Sequence, residues 1–140
     1  MRRLVLLVFF ASAAGAGVEL LLLGHTETAW QLIPLVLLGM GLVSGGAAAA
    51  RPGRITIRVF QGVMALFIIA GALGLYLHYR GNMEFELEMY PSLAGLDLFR
   101  EAMTGATPAL APGFMLQMGA LGLAWTYRHP RVADATTVDR

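Results

Sequence analysis

Ionisable side chains within or beside apolar segments are the residues of this sequence that could do chemistry. Glu19 interrupts an otherwise apolar run, and His25 and His78 lie at the borders of two such runs. Ionisable groups inside apolar segments are costly, and they mark either a buried pair or a site for protons or ions. We therefore expect Glu19 to form a hydrogen bond with His78, or else with Tyr76 or a loop backbone. As the functional alternative, Glu19 would bind a proton or a cation.

A group of carboxylates follows the third apolar run. Glu84, Glu86 and Glu88 alternate with apolar residues, which is the period-two pattern of an extended segment with one solvated face. Carboxylates and imidazoles together can ligate divalent metals, and an acidic entrance concentrates cations. The spacing nevertheless matches no dedicated metal motif. We expect a solvated acidic cap that holds neither a metal nor a cofactor.

Motifs of nucleophilic catalysis and of nucleotide binding are missing from the sequence. No serine has a histidine and a carboxylate at a recognisable spacing, and neither a P-loop nor a dinucleotide fingerprint occurs. The absence of cysteine excludes disulfides, thiol nucleophiles and thiolate metal sites. The basic residues border apolar runs, where membrane topology explains them, so nucleic-acid binding is not expected. The sequence favours a non-enzymatic protein over an enzyme.

The apolar composition determines which elements can position these residues. Of the 140 residues, 57% are hydrophobic and 14% are charged, whereas about 25% are charged in a usual soluble domain. A chain this short cannot bury so much apolar surface, so lipid must solvate part of it. A bilayer requires about 20 apolar helical residues per crossing, and four runs qualify: residues 4–24, 31–50, 59–79 and 106–127.

These runs predict an all-α integral membrane protein, a four-transmembrane-helix bundle formed by residues 1–131 as a single domain. Arginines concentrate in cytoplasmic loops of membrane proteins. If the four helices alternate in direction, seven arginines share one side, and Arg80 and Arg100 lie on the other. Those on the first side are Arg2, Arg3, Arg51, Arg54, Arg58, Arg128 and Arg131.

This bias places both termini in the cytoplasm of a multi-pass protein of the cell membrane, which we expect to be a bacterial inner membrane. Residues 132–140 are predicted to form a disordered cytoplasmic tail. Residues 80–105 are predicted to form an outer cap. Within the cap, residues 93–103 read as an amphipathic helix whose apolar stripe would lie on the membrane surface or on the bundle. The stripe consists of Leu96, Phe99 and Met103.

Small residues recur at helical spacing in the spans and predict where the helices pack. Lipid provides no hydrophobic drive for helices to associate, so close backbone approach through small residues replaces it. The residues that we expect at such contacts are Gly15, Gly41, Gly45, Gly71 and Gly74. Glu19 continues the stripe of Gly15, and His78 continues that of Gly71 and Gly74, so both should face protein and not lipid.

Four short helices with a glutamate in the first resemble, in architecture, the small multidrug-resistance transporters. The long outer segment and the strong arginine bias depart from those bare bundles, so no residue role is carried over. Three functions stay open, of which a membrane enzyme or cofactor carrier ranks last because no motif supports it. The first is a subunit or assembly component of a membrane complex, formed with copies of itself or with other membrane subunits. The second is a small cation- or proton-coupled transporter or channel that uses Glu19.

Overall fold

The computed structural model describes residues 1–129, in which the regular structure is entirely helical. The predicted tail, residues 132–140, lies outside the described residues. The helices in chain order are α1 (Arg2–Leu22), α2 (Ala29–Ala50), α3 (Arg54–Met89), α4 (Gly95–Thr104) and α5 (Gly113–Thr126).

The first three spans are supported by the structure. Helices α1, α2 and α3 are each long and apolar enough to cross a membrane, so the chain is an all-helical protein with the character of a membrane protein. A fourth spanning helix over residues 106–127 is not confirmed, because α5 has only 14 residues and is about 21 Å long. Before it, the chain runs through tight turns, with Ala111 N bonded to Pro108 O at 3.1 Å and Gly113 N to Leu110 O at 2.9 Å.

Helix α3 continues through the acidic stretch, so the prediction of an extended segment at Glu84, Glu86 and Glu88 is wrong. The residues from 83 to 89 are Met, Glu, Phe and Leu, most of which have high helix propensity. Helix α3 ends at Met89, two residues before Pro91. Tyr90 has φ −135° and ψ 78°, because a residue that precedes proline is sterically pushed out of the helical region.

A cluster of aromatic rings forms the centre of the bundle. Phe9 is 1% exposed, and its ring centroid lies 5.4 Å from that of Phe60 at an interplanar angle of 84°. Phe60 in turn meets Trp125 at 5.6 Å and 85°. These edge-to-face contacts are favourable for aromatic quadrupoles. The cluster therefore joins α1, α3 and α5 through their side chains.

Glycines of α2 allow α3 to approach closely. A Cβ atom at Gly41 would lie 2.9 Å from Cζ of Phe67, and one at Gly45 would lie 3.1 Å from Cε2 of Phe60. On the other side of α3, a Cβ at Gly71 would lie 2.7 Å from the backbone nitrogen of Leu116 in α5. A larger residue at Gly71 would therefore push α5 away from α3, because it meets backbone, whereas at Gly41 and Gly45 it would displace the phenylalanine rings.

Consecutive long helices run antiparallel, which brings the two ends of the described chain together. Arg2 donates hydrogen bonds to the carbonyl oxygens of Tyr127 at 2.9 Å and Arg128 at 2.8 Å. The turn between α2 and α3, residues 51–53, lies at this same end, which we call the arginine end. The opposite end, which we call the cap end, contains the α1–α2 loop, the last turns of α3, and α4.

Candidate functional site

A cavity of about 860 Å³ lies between α1, α2, α3 and the segment that leads into α5, towards the cap end. It exists because α1 packs tightly over only part of its length. The buried residues of α1 are Phe9 and Ala13, whereas further along the helix Ala16 and Leu20 are only partly packed against the core. We call this space the outer cavity. Leu37, Ile69 and Phe114 are among the apolar residues of its wall.

Three of the predicted site residues line the outer cavity: Glu19, His25 and His78. His25 is positioned by the end of α1, where Gly24 has a φ of +65°. The Gly24 and His25 backbone nitrogens donate to Leu21 O at 3.1 Å and Leu20 O at 2.9 Å. These are the two bonds of a Schellman motif, in which glycine takes the left-handed position. The structure thus brings together ionisable residues from α1, α3 and the α1–α2 loop.

His78 is held by a backbone carbonyl. Its Nδ1 lies 3.1 Å from Pro108 O, and a carbonyl oxygen only accepts hydrogen bonds, so Nδ1 carries a proton. In the neutral ring Nε2 is then the acceptor. No hydrogen bond joins His78 to Glu19 within residues 1–129, so the predicted Glu19–His78 pair does not form. The stripe of Gly71 and Gly74 ends instead at the turns before α5, where a Cβ at Gly74 would lie 2.7 Å from Pro112.

Ala11, Gly15 and Glu19 are exposed on one side of α1, which we call the open face of α1. Glu19 also lines the outer cavity and therefore lies on the border between the two. Its side chain is exposed, and the part of the chain that the structure describes gives its carboxylate no hydrogen bond or ion pair. At about 100° per residue, Glu19 points about 120° away from Ala13 and Gly15 about 160° away. A Cβ at Gly15 would meet nothing within 4 Å. The stripe of Gly15 and Glu19 therefore faces outward, not towards a neighbouring helix of the same chain.

The α1–α2 loop is fixed by a capping box next to the cavity. Gln31 Oε1 accepts hydrogen bonds from the backbone nitrogens of Glu27 at 2.8 Å and Thr28 at 3.0 Å. In return, Gln31 N donates to Thr28 Oγ1 at 3.3 Å. These reciprocal bonds satisfy donors that the first turn of a helix leaves free. Gln31 therefore acts in the structure of the loop, although it also lines the cavity.

Proline 34 alters the backbone of α2 where α2 borders the cavity. Proline has no N–H, so Pro34 cannot make the helical bond to the carbonyl of Trp30, four residues earlier. Both residues line the outer cavity, and the Trp30 side chain is 62% exposed. The cavity wall therefore contains an indole ring and a backbone carbonyl that lacks its usual helical donor.

The acidic residues of α3 do not converge on one point. Glu84 and Glu88 are one helical turn apart and both are exposed, whereas Glu86 is half-buried on another side of the helix. Glu84 Oε1 accepts a hydrogen bond from Arg80 Nε at 2.7 Å. Within residues 1–129, no three His, Cys, Asp or Glu side chains are placed to hold a metal ion. Glu84 and Glu88 thus lie on a solvated surface of the cap end, which Glu86 does not share.

Asn82 is a structural residue that sequence reasoning missed. It is 3% exposed, and its Nδ2 donates to Ala102 O at 2.8 Å and Thr107 O at 2.6 Å. Thr107 N donates back to Asn82 Oδ1 at 3.1 Å. A Cβ at Gly105 would lie 2.8 Å from Asn82 Cγ. Asn82 therefore fastens α4 and the following loop to α3. A polar residue on the inner side of a helix would indicate such a role, but the alternating pattern of residues 84–88 predicts an extended segment and hides it.

The predicted amphipathic helix is present as α4, Gly95–Thr104. The Phe99 ring lies 5.9 Å from that of Tyr79, and Met103 is half-buried. Leu96 does not share this packing, because it is 65% exposed. The apolar stripe of α4 thus rests on α3 over part of its length and remains open at its first turn.

Comparison with known proteins identifies no relative of this chain. No family model, no curated protein and no solved structure matches it. The features of this chain that bear on its function are therefore the outer cavity, the open face of α1 and the distribution of charge between the two ends of the bundle.

Replacing Asn82 with alanine should loosen α4. The change leaves two carbonyls and one N–H without their partner, and each unsatisfied buried group costs about 1–3 kcal/mol. We expect faster tryptic cleavage after Arg100 in α4 and a lower free energy of unfolding in mixed micelles. Glu84→Gln breaks only an exposed ion pair, which contributes little to stability, so it should leave both the cleavage rate and the free energy of unfolding unchanged. Equal protection of Arg100 in both variants would show that Asn82 does not fasten α4.

Proposed function

We propose that this chain is a small non-enzymatic membrane protein that serves as a subunit or assembly component of a membrane complex. The observation that carries the proposal is the open face of α1. Ala11 and Gly15 are small and exposed there, and the Glu19 carboxylate beside them has no partner within residues 1–129. The complex would contain further copies of this chain or other membrane subunits.

The energetics of a carboxylate in a membrane favour a partner at this face. An ionised residue costs about 2.5–3.5 kcal/mol at the centre of a span on insertion scales, and less towards its end. A helix from another subunit could supply a polar group to Glu19. The small side chains of Ala11 and Gly15 would let the two backbones approach closely enough for dispersion contacts and interhelical hydrogen bonds.

We further propose four membrane crossings, with residues 108–126 as the fourth. Five residues of tight turn at about 2.0 Å each and the 14 residues of α5 at about 1.5 Å each together span about 31 Å. That length matches a hydrocarbon core of about 30 Å. The contact between α5 and α3 supports this placement, since Gly71 and Gly119 both lie against the opposite helix.

The arrangement of arginines supports a cytoplasmic location for the arginine end of a bacterial inner-membrane protein. Cytoplasmic loops are enriched in basic residues. Among the described residues, Arg80 and Arg100 belong to the cap end. The arginine end contains Arg2, Arg3, Arg51, Arg54, Arg58 and Arg128. The last turns of α3, together with α4, would then form the external cap.

Labelling of single cysteines tests this topology. Because the sequence has no cysteine, only the introduced thiol can react. Ser92 and Ala50 are both exposed, the first at the cap end and the second at the arginine end. In intact cells a membrane-impermeant maleimide should label Ser92→Cys, and it should label Ala50→Cys only after permeabilisation. Labelling of both variants from outside would contradict a membrane crossing by α3 and the cytoplasmic location of the arginine end.

The proposed assembly face is tested by Gly15→Leu. A Cβ atom added at the exposed residue 15 meets nothing within 4 Å in the isolated chain, so folding should be retained while close approach of a second helix is blocked. We expect the assembly extracted in mild detergent to lose at least half of its oligomeric or hetero-complex fraction, measured by size-exclusion chromatography with light scattering. The matched control is Gly39→Leu, an exposed glycine of α2 at which an added Cβ likewise meets nothing within 4 Å. An equal effect of both variants would exclude a specific face.

A second candidate function is a cation- or proton-coupled transporter or channel, and the outer cavity favours it. Glu19, His25 and His78 all line this cavity, and an ionisable group in its wall could alternately bind and release a cation.

Flux measurements in proteoliposomes test this second function. Transport through Glu19 predicts that Glu19→Gln lowers cation-driven or proton-driven flux at least tenfold while the protein elutes and unfolds as before. Glu27→Gln removes a carboxylate from the same end of the bundle but not from the cavity wall, and it should leave the flux unchanged. If the flux of the unmodified protein does not exceed that of empty liposomes, the transport function is excluded.

A further inference from the structure

We propose that Arg54 and Arg58, at the arginine end of α3, bind the phosphate of one anionic phospholipid whose acyl chains lie along the exposed side of α3. The inference goes beyond both functions proposed above, because it uses neither the open face of α1 nor the outer cavity. It requires that α3 crosses the membrane, for which α3 is long and apolar enough. In the topology proposed above, the lipid belongs to the cytoplasmic leaflet.

The two guanidinium groups are neighbours without partners in the fold. Arg54 and Arg58 are four residues apart, so they lie next to each other on one side of the helix. Both are exposed, and within residues 1–129 neither side chain forms a hydrogen bond or an ion pair. Arg2, in contrast, donates to the carbonyl oxygens of Tyr127 and Arg128. Arg54 and Arg58 therefore have their donors available for an anion.

No carboxylate neutralises the arginine end in the part of the chain that the structure describes. The described acidic residues all lie towards the cap end: Glu19, Glu27, Glu84, Glu86, Glu88, Asp97 and Glu101. Beyond residue 129 the sequence adds two aspartates, whose charge Arg131 and Arg140 balance. The arginine end consequently has a positive potential, which concentrates anions.

The depth of the two arginines matches that of lipid phosphates. Arg58 directly precedes the apolar run of residues 59–79, which as a helix is about 31 Å long and fits a hydrocarbon core of about 30 Å. Arg58 therefore lies at the border of the core, and Arg54 lies about 6 Å further out. Long arginine side chains extend from such positions into the headgroup layer.

Apolar residues on the same side of α3 suit the acyl chains. Ile55 is 79% exposed, Val59 54% and Leu66 44%. At about 100° per residue, these three side chains and the two arginines all emerge within about 140° of one another. The exposed side of α3 is thus positive at the level of the headgroups and apolar below it, which complements an anionic phospholipid.

A membrane lipid fits this site better than a soluble anion. Salt screens exposed charges beyond about 8 Å, and a free phosphate would lose translational freedom on binding. The bilayer already holds a lipid phosphate at the level of Arg58, and guanidinium binds phosphate through two parallel hydrogen bonds. An anionic head should be preferred over a zwitterionic one, because the arginines repel a headgroup ammonium.

Native mass spectrometry of the full-length chain in a non-ionic detergent tests the inference. The probes are palmitoyl-oleoyl phosphatidylglycerol and the phosphatidylcholine with the same acyl chains. We expect one phosphatidylglycerol per chain to bind saturably and roughly tenfold or more tighter than phosphatidylcholine, because basic side chains near the headgroup attract anionic lipid. Equal affinity for the two lipids would overturn the proposal.

Two double variants of equal charge show whether the preference belongs to this site. Arg54→Gln with Arg58→Gln should abolish the preference for phosphatidylglycerol, whereas Arg3→Gln with Arg128→Gln should keep it. All four side chains are exposed and without partners within residues 1–129, so both variants should elute as the unmodified chain does. An equal loss in both would mean diffuse attraction by the charge of the whole end and would overturn a defined site.

Glycerophosphoglycerol, the water-soluble headgroup, distinguishes a lipid from a free anion. Added at the same concentration as the lipid, it should not displace bound phosphatidylglycerol, and displacement would overturn the lipid as the ligand. Should the variant of Arg54 and Arg58 fail to fold, Arg58→Gln alone serves, with an expected loss of roughly threefold or more in affinity. Neither assembly nor transport depends on these arginines, so failure of this test leaves both functions unaffected.

Discussion

The close contact of α3 with α2 and α5 is the constraint on which the rest of the structure depends. In lipid, burial of apolar surface gives no drive for helices to associate, so they must gain dispersion energy from tight packing. The rings of Phe60 and Phe67 reach the glycine backbone of α2, and Gly71 and Gly119 bring α5 onto the opposite side of α3. Helix α3 is consequently the element against which the other helices are positioned.

This packing is uneven along the bundle, and the unevenness creates the candidate site. Near the arginine end, Phe9 fills the space between α1 and α3 by its contacts with neighbouring rings. Towards the cap end, α1 offers only small or partly packed residues, so the outer cavity opens beside Glu19. Glu19 lies at the border of this cavity, and its exposed carboxylate has no hydrogen bond or ion pair within residues 1–129. An ionised group on an apolar helix is costly in lipid when it has no partner, which is the physical reason for expecting a polar group of a second helix or a cation there.

The cap end is organised by a different interaction. Burying the amide of Asn82 is tolerated because all of its bonds go to the backbone of α4 and the following loop, and buried polar groups are stable only when they are satisfied. His78 makes a similar contact with the carbonyl of Pro108. Two polar side chains of α3 therefore determine where α4 and the entrance to α5 lie, and so define one wall of the outer cavity.

The sequence by itself determined three apolar helices and the short helix α4, because length, composition and helical periodicity are local properties of the chain. It also indicated Glu19, His25 and His78 as the unusual ionisable groups, and all three line the outer cavity. The structure decided between helix and strand at residues 84–88, because their alternating pattern is typical of a strand whereas their individual helix propensities are high. It also decided that Gly15 faces outward and that His78 bonds Pro108 and not Glu19. The partner of a side chain depends on which helix lies beside it, and residue spacing within one helix contains no information about that neighbour.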